Sequence, residues 1–151
     1  MSSHPVGDSV AVAVRRDANV LFVRRAGTDP WTGIWWLPGG GRDASETLAD
    51  AATRELWEET ALTVTANDLE RLTSVVATAP TGSRRRFTLF AVDAPGRAVQ
   101  LNEENDAATW KPPAYFLSQP LGRFRQRSPL MPGWIDDVAV PFIQHLDSRP
   151  R

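Results

Sequence analysis

The chain has 151 residues, enough for one domain with a substantial core, and its 42% hydrophobic and 23% charged content is that of an ordinary soluble globular protein. A formal net charge of −1 argues against a stable nucleic-acid complex, which calls for a basic excess. With no cysteine there is no disulfide, thiol nucleophile or thiolate metal site, and the two histidines, His4 and His145, lie too far apart for a zinc spacing. Met1 to Asp8 read as a loosely ordered lead-in that lacks a basic region followed by an apolar run. No stretch reaches the roughly 18 apolar residues of a membrane span, so no membrane association is expected and the setting is cytoplasmic.

Val10, Val12 and Val14 alternate with small residues, and Val20 to Val23 form a second β-rich run across Arg16-Asp17-Ala18-Asn19, which predicts a hairpin. Ala26 to Gly33 reads as a loop and Ile34 to Leu37 as a strand stopped by Pro38-Gly39-Gly40-Gly41. These glycines can take positive φ and leave backbone groups open to a ligand. Trp35 and Trp36 stand just before them on opposite strand faces; one is a candidate for stacking on a nucleobase, a contact worth about 1–3 kcal/mol, and the other for burial.

A helix is expected from about Ser45 to Thr60, with Leu48, Ala52 and Leu56 as its apolar stripe. Asp43 and Glu46 have the form of a capping box. At about 100° per residue, Glu55, Glu58 and Glu59 fall on one side of the helix. Three acids near a helix C-terminus repel one another and oppose the dipole, so stability alone does not put them there; a cation-binding surface does.

Further on, Leu69 to Ala79 and Arg84 to Val92 read as strands joined by Pro80-Thr81-Gly82-Ser83. Arg84-Arg85-Arg86 opens the second of them, either drawing in a polyphosphate through its local field or blocking edge association. Asp93 to Ala108 is polar and reads as a loop carrying Glu103, Glu104 and Asp106. Thr109 to Lys111 is a short strand ended by Pro112-Pro113. From Pro112 to Gly133 there are five prolines, Arg123, Arg125 and Arg127, and no acid, a composition that suits a lid, a homodimer contact or a proline-pinned surface segment. Trp134 to Leu146 has helical apolar spacing in which Pro141 begins a new turn or makes a kink.

The spacing from Gly40 to Leu62 matches the Nudix box: Gly40, five residues, Glu46, seven residues, Arg54-Glu55-Leu56, one residue, Glu58-Glu59, one residue, then Ala61 and Leu62. A chance match at the fixed Gly, Glu and Arg positions is on the order of one in a million. The chain therefore resembles the Nudix hydrolases across these 23 residues, with Gly33 to Gly39 similar to the usual approach. Ala61 stands where the family has glycine, and a shifted helix cap is expected there.

The resemblance implies an α/β fold: an α/β/α sandwich whose mixed, mainly antiparallel sheet lies between helices, in a single domain over 1–151 with flexible ends at about 1–8 and 148–151. It implies hydrolysis of a nucleoside diphosphate linked to another group, such as a nucleoside triphosphate or nucleotide sugar, with Mg2+ as cofactor and Mn2+ as a substitute. It assigns the chemistry to Arg54, Glu55, Glu58 and Glu59, the metal to Gly40, or Gly39 beside it, with Glu55, Glu58 and Glu59, and a further metal acid to Glu103 or Glu104. Glu55 is expected as base or bridging ligand, Arg54 as its orienting partner and Glu46 in a supporting role. Trp35, Trp36, Arg84 and Arg86 are the candidate substrate contacts. A nucleotide-sensing domain without catalysis is the alternative, although such domains usually lose box acids that this chain keeps.

Overall fold

The computed structural model describes residues 7–28, 31–118 and 128–148. Expectations for residues 1–6, for Arg123, Arg125 and Arg127, and for 149–151 lie outside the described residues. The sheet is built around β1 (Gly7–Arg16), which Asp17, in the left-handed region at φ 55°, turns into β2 (Asn19–Arg25). Gly7 and Asp8 thus belong to a strand, not to a lead-in, and Asp8 is buried.

β1 and β2 pair only beside their turn, at Arg15 with Val20 and Arg16 with Asn19. Then they part. β1 takes β4 (Gly39–Gly41) antiparallel at Ser9 to Ala11 and runs parallel to β6 (Arg84–Asp93) from Gly7 to Arg15. β2 takes β3 (Trp35–Trp36) and β7 (Asn105–Lys111), both antiparallel. β5 (Glu70–Thr78) pairs antiparallel with β6 and completes seven strands.

Alternation along β1 sorts two cores. Val10, Val12 and Val14 pack with Ala51, Ala52 and Leu56 of α1 (Leu48–Thr60). Ala11 and Ala13 face the other way, toward a cluster containing Trp134, Val138, Phe142 and Ile143. With helices on both faces of a mixed sheet, the expected α/β/α sandwich is the observed one.

The glycine run departs from expectation. Gly39 to Gly41 form a strand, and positive φ falls instead on Gly27, Gly33 and Gly82. The reason for glycine is space: a Cβ at Gly39 would overlap the Val10 carbonyl, and one at Gly40 would lie 2.5 Å from Glu55 Oε2. β7 likewise begins at Asn105, within the stretch expected to be a loop, because pairing with β2 imposes extended backbone on residues of weak strand preference.

α1 starts later than the box spacing suggests. Thr47 is its N-cap, accepting from the Asp50 N–H at 3.0 Å, while Asp43 and Glu46 close a turn ahead of it. At the other end the cap is not shifted: Ala61 adopts the left-handed conformation, φ 62° and ψ 12°, and donates to the Trp57 carbonyl at 2.8 Å. Leu62 is buried next to it and Gln100 N–H bonds the Thr60 carbonyl, so surrounding contacts hold the strained residue.

After α2 (Tyr115–Ser118), the carboxyl-terminal helical run comprises α3 (Met131–Trp134), a π-helical stretch Ile135–Ala139 and α4 (Val140–Asp147), with right-handed helical backbone at the joins. Pro141 has no N–H for an i−4 bond, and the wider turn just before it accommodates that loss without ending the helix. Among the described residues no helix is long and apolar enough to cross a membrane.

Candidate functional site

The parting of β1 from β2 leaves β4 and β7 on separate halves of the sheet, and Glu59 joins them. Its Oε2 accepts from the Gly39 N–H at 3.2 Å and its Oε1 from Asn105 Nδ2 at 3.0 Å. Glu59 is 3% exposed, and burial pushes its pKa up to about 9. Glu55, one turn earlier and also buried, is raised by burial too, with its hydrogen bond to Glu59 and the Arg54 charge pulling the other way. Burial and mutual contact thus favour a proton shared between the two carboxyls.

Arg54 braces the outer side of this pair. It forms a two-pronged contact with Glu46, Nε to Oε2 at 2.6 Å and Nη2 to Oε1 at 2.9 Å. Its remaining bonds reach Glu55 Oε2 and Glu58 Oε1, each at 3.2 Å, and the Gly41 carbonyl at 3.0 Å. The Arg54 guanidinium holds Glu46 well below the usual carboxylate range, at about 2, while Glu46 and the nearby acids raise Arg54 further. One guanidinium thus ties the turn before α1 to the carboxylates in its last turns.

The three helix acids do not form a closed group. Glu55 and Glu59 meet, whereas Glu58 turns outward to Arg54 and is 40% exposed. Among the described residues no three acidic or imidazole groups stand close enough for a ready-made metal cage. The donors nevertheless suit a hard cation: all are oxygens, and the absent Cβ of Gly40 leaves the space in which the Glu55 carboxylate sits. A cleft of about 310 Å3 opens beside them, lined by the glycine strand, Glu59, Asn105 and Arg85 and by Trp31, Trp36 and Trp134.

A profile of the NUDIX domain matches residues 5–131. The chain belongs to that family. It is 32% identical over 115 residues to a MutT-like protein of Streptomyces ambofaciens, covering 74% of this chain and 69% of that one. It is 34% identical over 85 residues to the phosphatase NudJ of Escherichia coli strain K12, covering 56% of this chain and 53% of that one; it thus spans about half of NudJ. The MutT protein of Methanosarcina mazei Go1 superposes with a TM-score of 0.73 at 22% identity, over 97% of this chain and 96% of that one.

In this Nudix hydrolase the remaining candidates separate cleanly. Gly40 backs Glu55, and Gly39 contributes an N–H to Glu59. Glu104 lies 3.8 Å from Arg25, interacts with Asn102, and its charge adds to the rise of Glu59. Glu103 is exposed. Trp36 lines the cleft and packs edge-on to Trp134, while Trp35 lies under the Arg24 guanidinium and does not line it. Arg84 is exposed and reaches the Thr78 hydroxyl at 3.4 Å; Arg86 pairs with Asp8 at 3.3 Å. Of the three consecutive arginines it is Arg85 that lines the cleft.

The sequence alone did not pick out Asn105, and it named Arg85 only as one of three consecutive arginines, with Arg84 and Arg86 chosen as the substrate contacts. Asn105 sits unmarked among the polar residues of the expected loop; the only hint is that it immediately follows Glu103-Glu104. Arg85 could have been separated from its neighbours by strand alternation with Phe87, Leu89 and Ala91, had the cleft face been known.

Proposed function

We propose that the chain hydrolyses the diphosphate linkage of a nucleoside diphosphate joined to another group, with a nucleoside triphosphate or nucleotide sugar as the substrate type. Magnesium is the expected cofactor and manganese a substitute. The observation that carries this reading is the buried Glu55–Glu59 pair, set against Gly39 and Gly40 and braced by Arg54 at the wall of a cleft. Buried carboxyls held next to each other are costly for stability and useful for chemistry.

Glu55, Glu58 and Glu59 would hold the cation with the Gly40 carbonyl, and Glu104 is the downstream acid better supported than Glu103, because its charge reaches Glu59. Bound there, the cation would neutralise diphosphate charge and lower the pKa of a water. Water forms a new P–O bond as the bridging P–O bond breaks. Glu55 would take the water's proton or help to hold the cation. Arg54 orients Glu55 and Glu58, while Asn105 and the Gly39 N–H fix the direction of Glu59. Trp36 offers a ring to the base from the cleft wall. Such substrates fit a cytoplasmic enzyme.

The test is to incubate the protein with magnesium and a panel of nucleotides and to identify the products. Pyrophosphate release marks a triphosphate substrate, and two monophosphates mark a diphosphate-linked one. Glu59→Gln should abolish metal-dependent turnover while the protein stays folded; full activity in that variant would sink the assignment.

A further inference from the structure

Arginines near the site differ in how their charge is met. Arg42 and Arg86 share the buried Asp8 carboxylate, Arg24 pairs with Asp106, and Arg54 pairs with Glu46, Glu55 and Glu58. Arg85 is half-buried and has no carboxylate partner among the described residues. Its guanidinium is instead held by neutral acceptors: Nε donates to Ser9 Oγ at 2.6 Å and Nη2 to the Asp8 carbonyl at 2.7 Å. Nη1 has no hydrogen-bond partner there.

Two glycines make room for this group. A Cβ on Gly7 would lie 2.5 Å from Arg85 Nη1, and one on Gly41 would lie 3.4 Å from Nη2. The guanidinium therefore sits beside the strand that carries Gly40, on the wall of the same cleft as Glu59. A cation withdrawn from water and oriented only by uncharged groups keeps its charge available for an anion from outside.

We propose that Arg85 is the phosphate grip of the cleft, binding a substrate phosphate that the box carboxylates and their cation do not hold. This rests on the diphosphate hydrolysis proposed above and deepens it: a third phosphate gives Arg85 an anion of its own, so the preferred class is a nucleoside triphosphate over a nucleotide sugar. The carboxylates and Arg85 then divide the substrate between them. The box side handles the linkage that breaks, and Arg85 fixes where the remaining phosphate lies. Asp8 contributes indirectly, because it occupies Arg42 and Arg86 and leaves Arg85 as the cleft arginine without a counter-charge.

The experiment pairs a binding measurement without metal with steady-state kinetics. In EDTA, inorganic tripolyphosphate should raise the melting temperature of the wild-type protein and should not raise that of Arg85→Gln. With magnesium, Arg85→Gln should raise KM for a nucleoside triphosphate by about tenfold to a hundredfold with kcat little changed, and Arg85→Lys should fall between the two proteins. KM for a nucleotide sugar should move less than threefold. An equal tripolyphosphate shift in both proteins, or an unchanged triphosphate KM, would overturn the grip. Equal losses on both substrates would overturn the triphosphate preference. If Arg85→Gln is unfolded, Arg85→Lys carries the same comparison. Should the wild type hydrolyse no nucleotide, the hydrolase reading falls while the tripolyphosphate shift still decides Arg85.

Discussion

The two ends of α1 hold the same side chain in opposite electrostatic states. At the entry, Glu46 is gripped by both prongs of Arg54 and held near pKa 2. Toward the exit, Glu59 is buried between Gly39 and Asn105, beside Glu55, and is pushed to about 9. Thirteen residues apart in one motif, one glutamate is held as a charged strut and the other favours its protonated form. The box is thus two devices. Arg54 connects them, since the guanidinium that fixes Glu46 also touches Glu55 and Glu58.

The largest effect should come from neutralising each glutamate in turn. Glu59→Gln should cut metal-dependent kcat by about 10²–10⁴-fold or more, as loss of a group acting directly in the chemistry does. Its metal-free melting temperature should be equal to or above wild type, because the buried carboxyl is already protonated. Glu46→Gln should do the reverse in kind: a smaller loss of turnover, about ten- to a hundredfold, together with a lower melting temperature, since Arg54 loses its charged partner. Kinetics and melting curves on the two variants check this. Equal activity losses with equal stability losses would erase the distinction between strut and proton carrier.

The same contrast predicts two separate pH windows. Glu46, lowered from 4.5 to about 2, gives the folded state fewer bound protons than the unfolded state between those values, so its stabilisation grows as pH rises through that range and is then constant. Glu59 has the opposite sign. Raised from 4.5 to about 9, it leaves the folded state with the extra proton, and metal-free stability falls as pH climbs from about 4.5 to about 9. A cation that takes the proton's place stabilises the ionised form, so the magnesium-induced rise in melting temperature should widen across that window. In Glu59→Gln both the alkaline decline and the widening should shrink. Melting curves from about pH 5 to about pH 9, with and without magnesium, provide the measurement.

Where the chain's own periodicity decides a structure, it was legible. The valine alternation of β1, the apolar stripe Leu48, Ala52 and Leu56, and the strands around Gly82 all follow from local pattern. Where tertiary space decides, it was not. Gly39 to Gly41 read as a loop because glycine permits unusual φ, yet they are glycine so that the Val10 carbonyl and the Glu55 carboxyl can approach. Asn105 opens a strand whose residues do not favour one, because β2 supplies a partner. Arg85 hid between two arginines on a strand apolar on both faces, where Phe87 and Leu89 serve one core and Phe90 and Val92 the other; such a strand does not reveal which parity faces the cleft. The carboxylate side of the site came from the spacing of the box. The substrate side depends on which faces the fold turns inward.

The smallest expected effect tests the exit of α1 without touching its acids. Ala61 keeps the left-handed cap that a glycine would adopt freely, at a cost of about 1 kcal/mol. The conformation persists because its neighbours are tied down: Thr60 Oγ1 donates to the Leu56 carbonyl at 2.6 Å, Leu62 N–H returns to Thr60 Oγ1 at 3.2 Å, and the Leu62 side chain is buried. Ala61→Gly should relieve the strain and raise the melting temperature by about 2–4 °C, reduced somewhat by the greater freedom of glycine in the unfolded chain. Turnover should stay within about twofold of wild type, because Glu55 and Glu59 already stand on a correctly terminated helix. A large gain in activity would show instead that alanine distorts the carboxylates, and that the exit of α1 is part of the proton carrier and not merely its support.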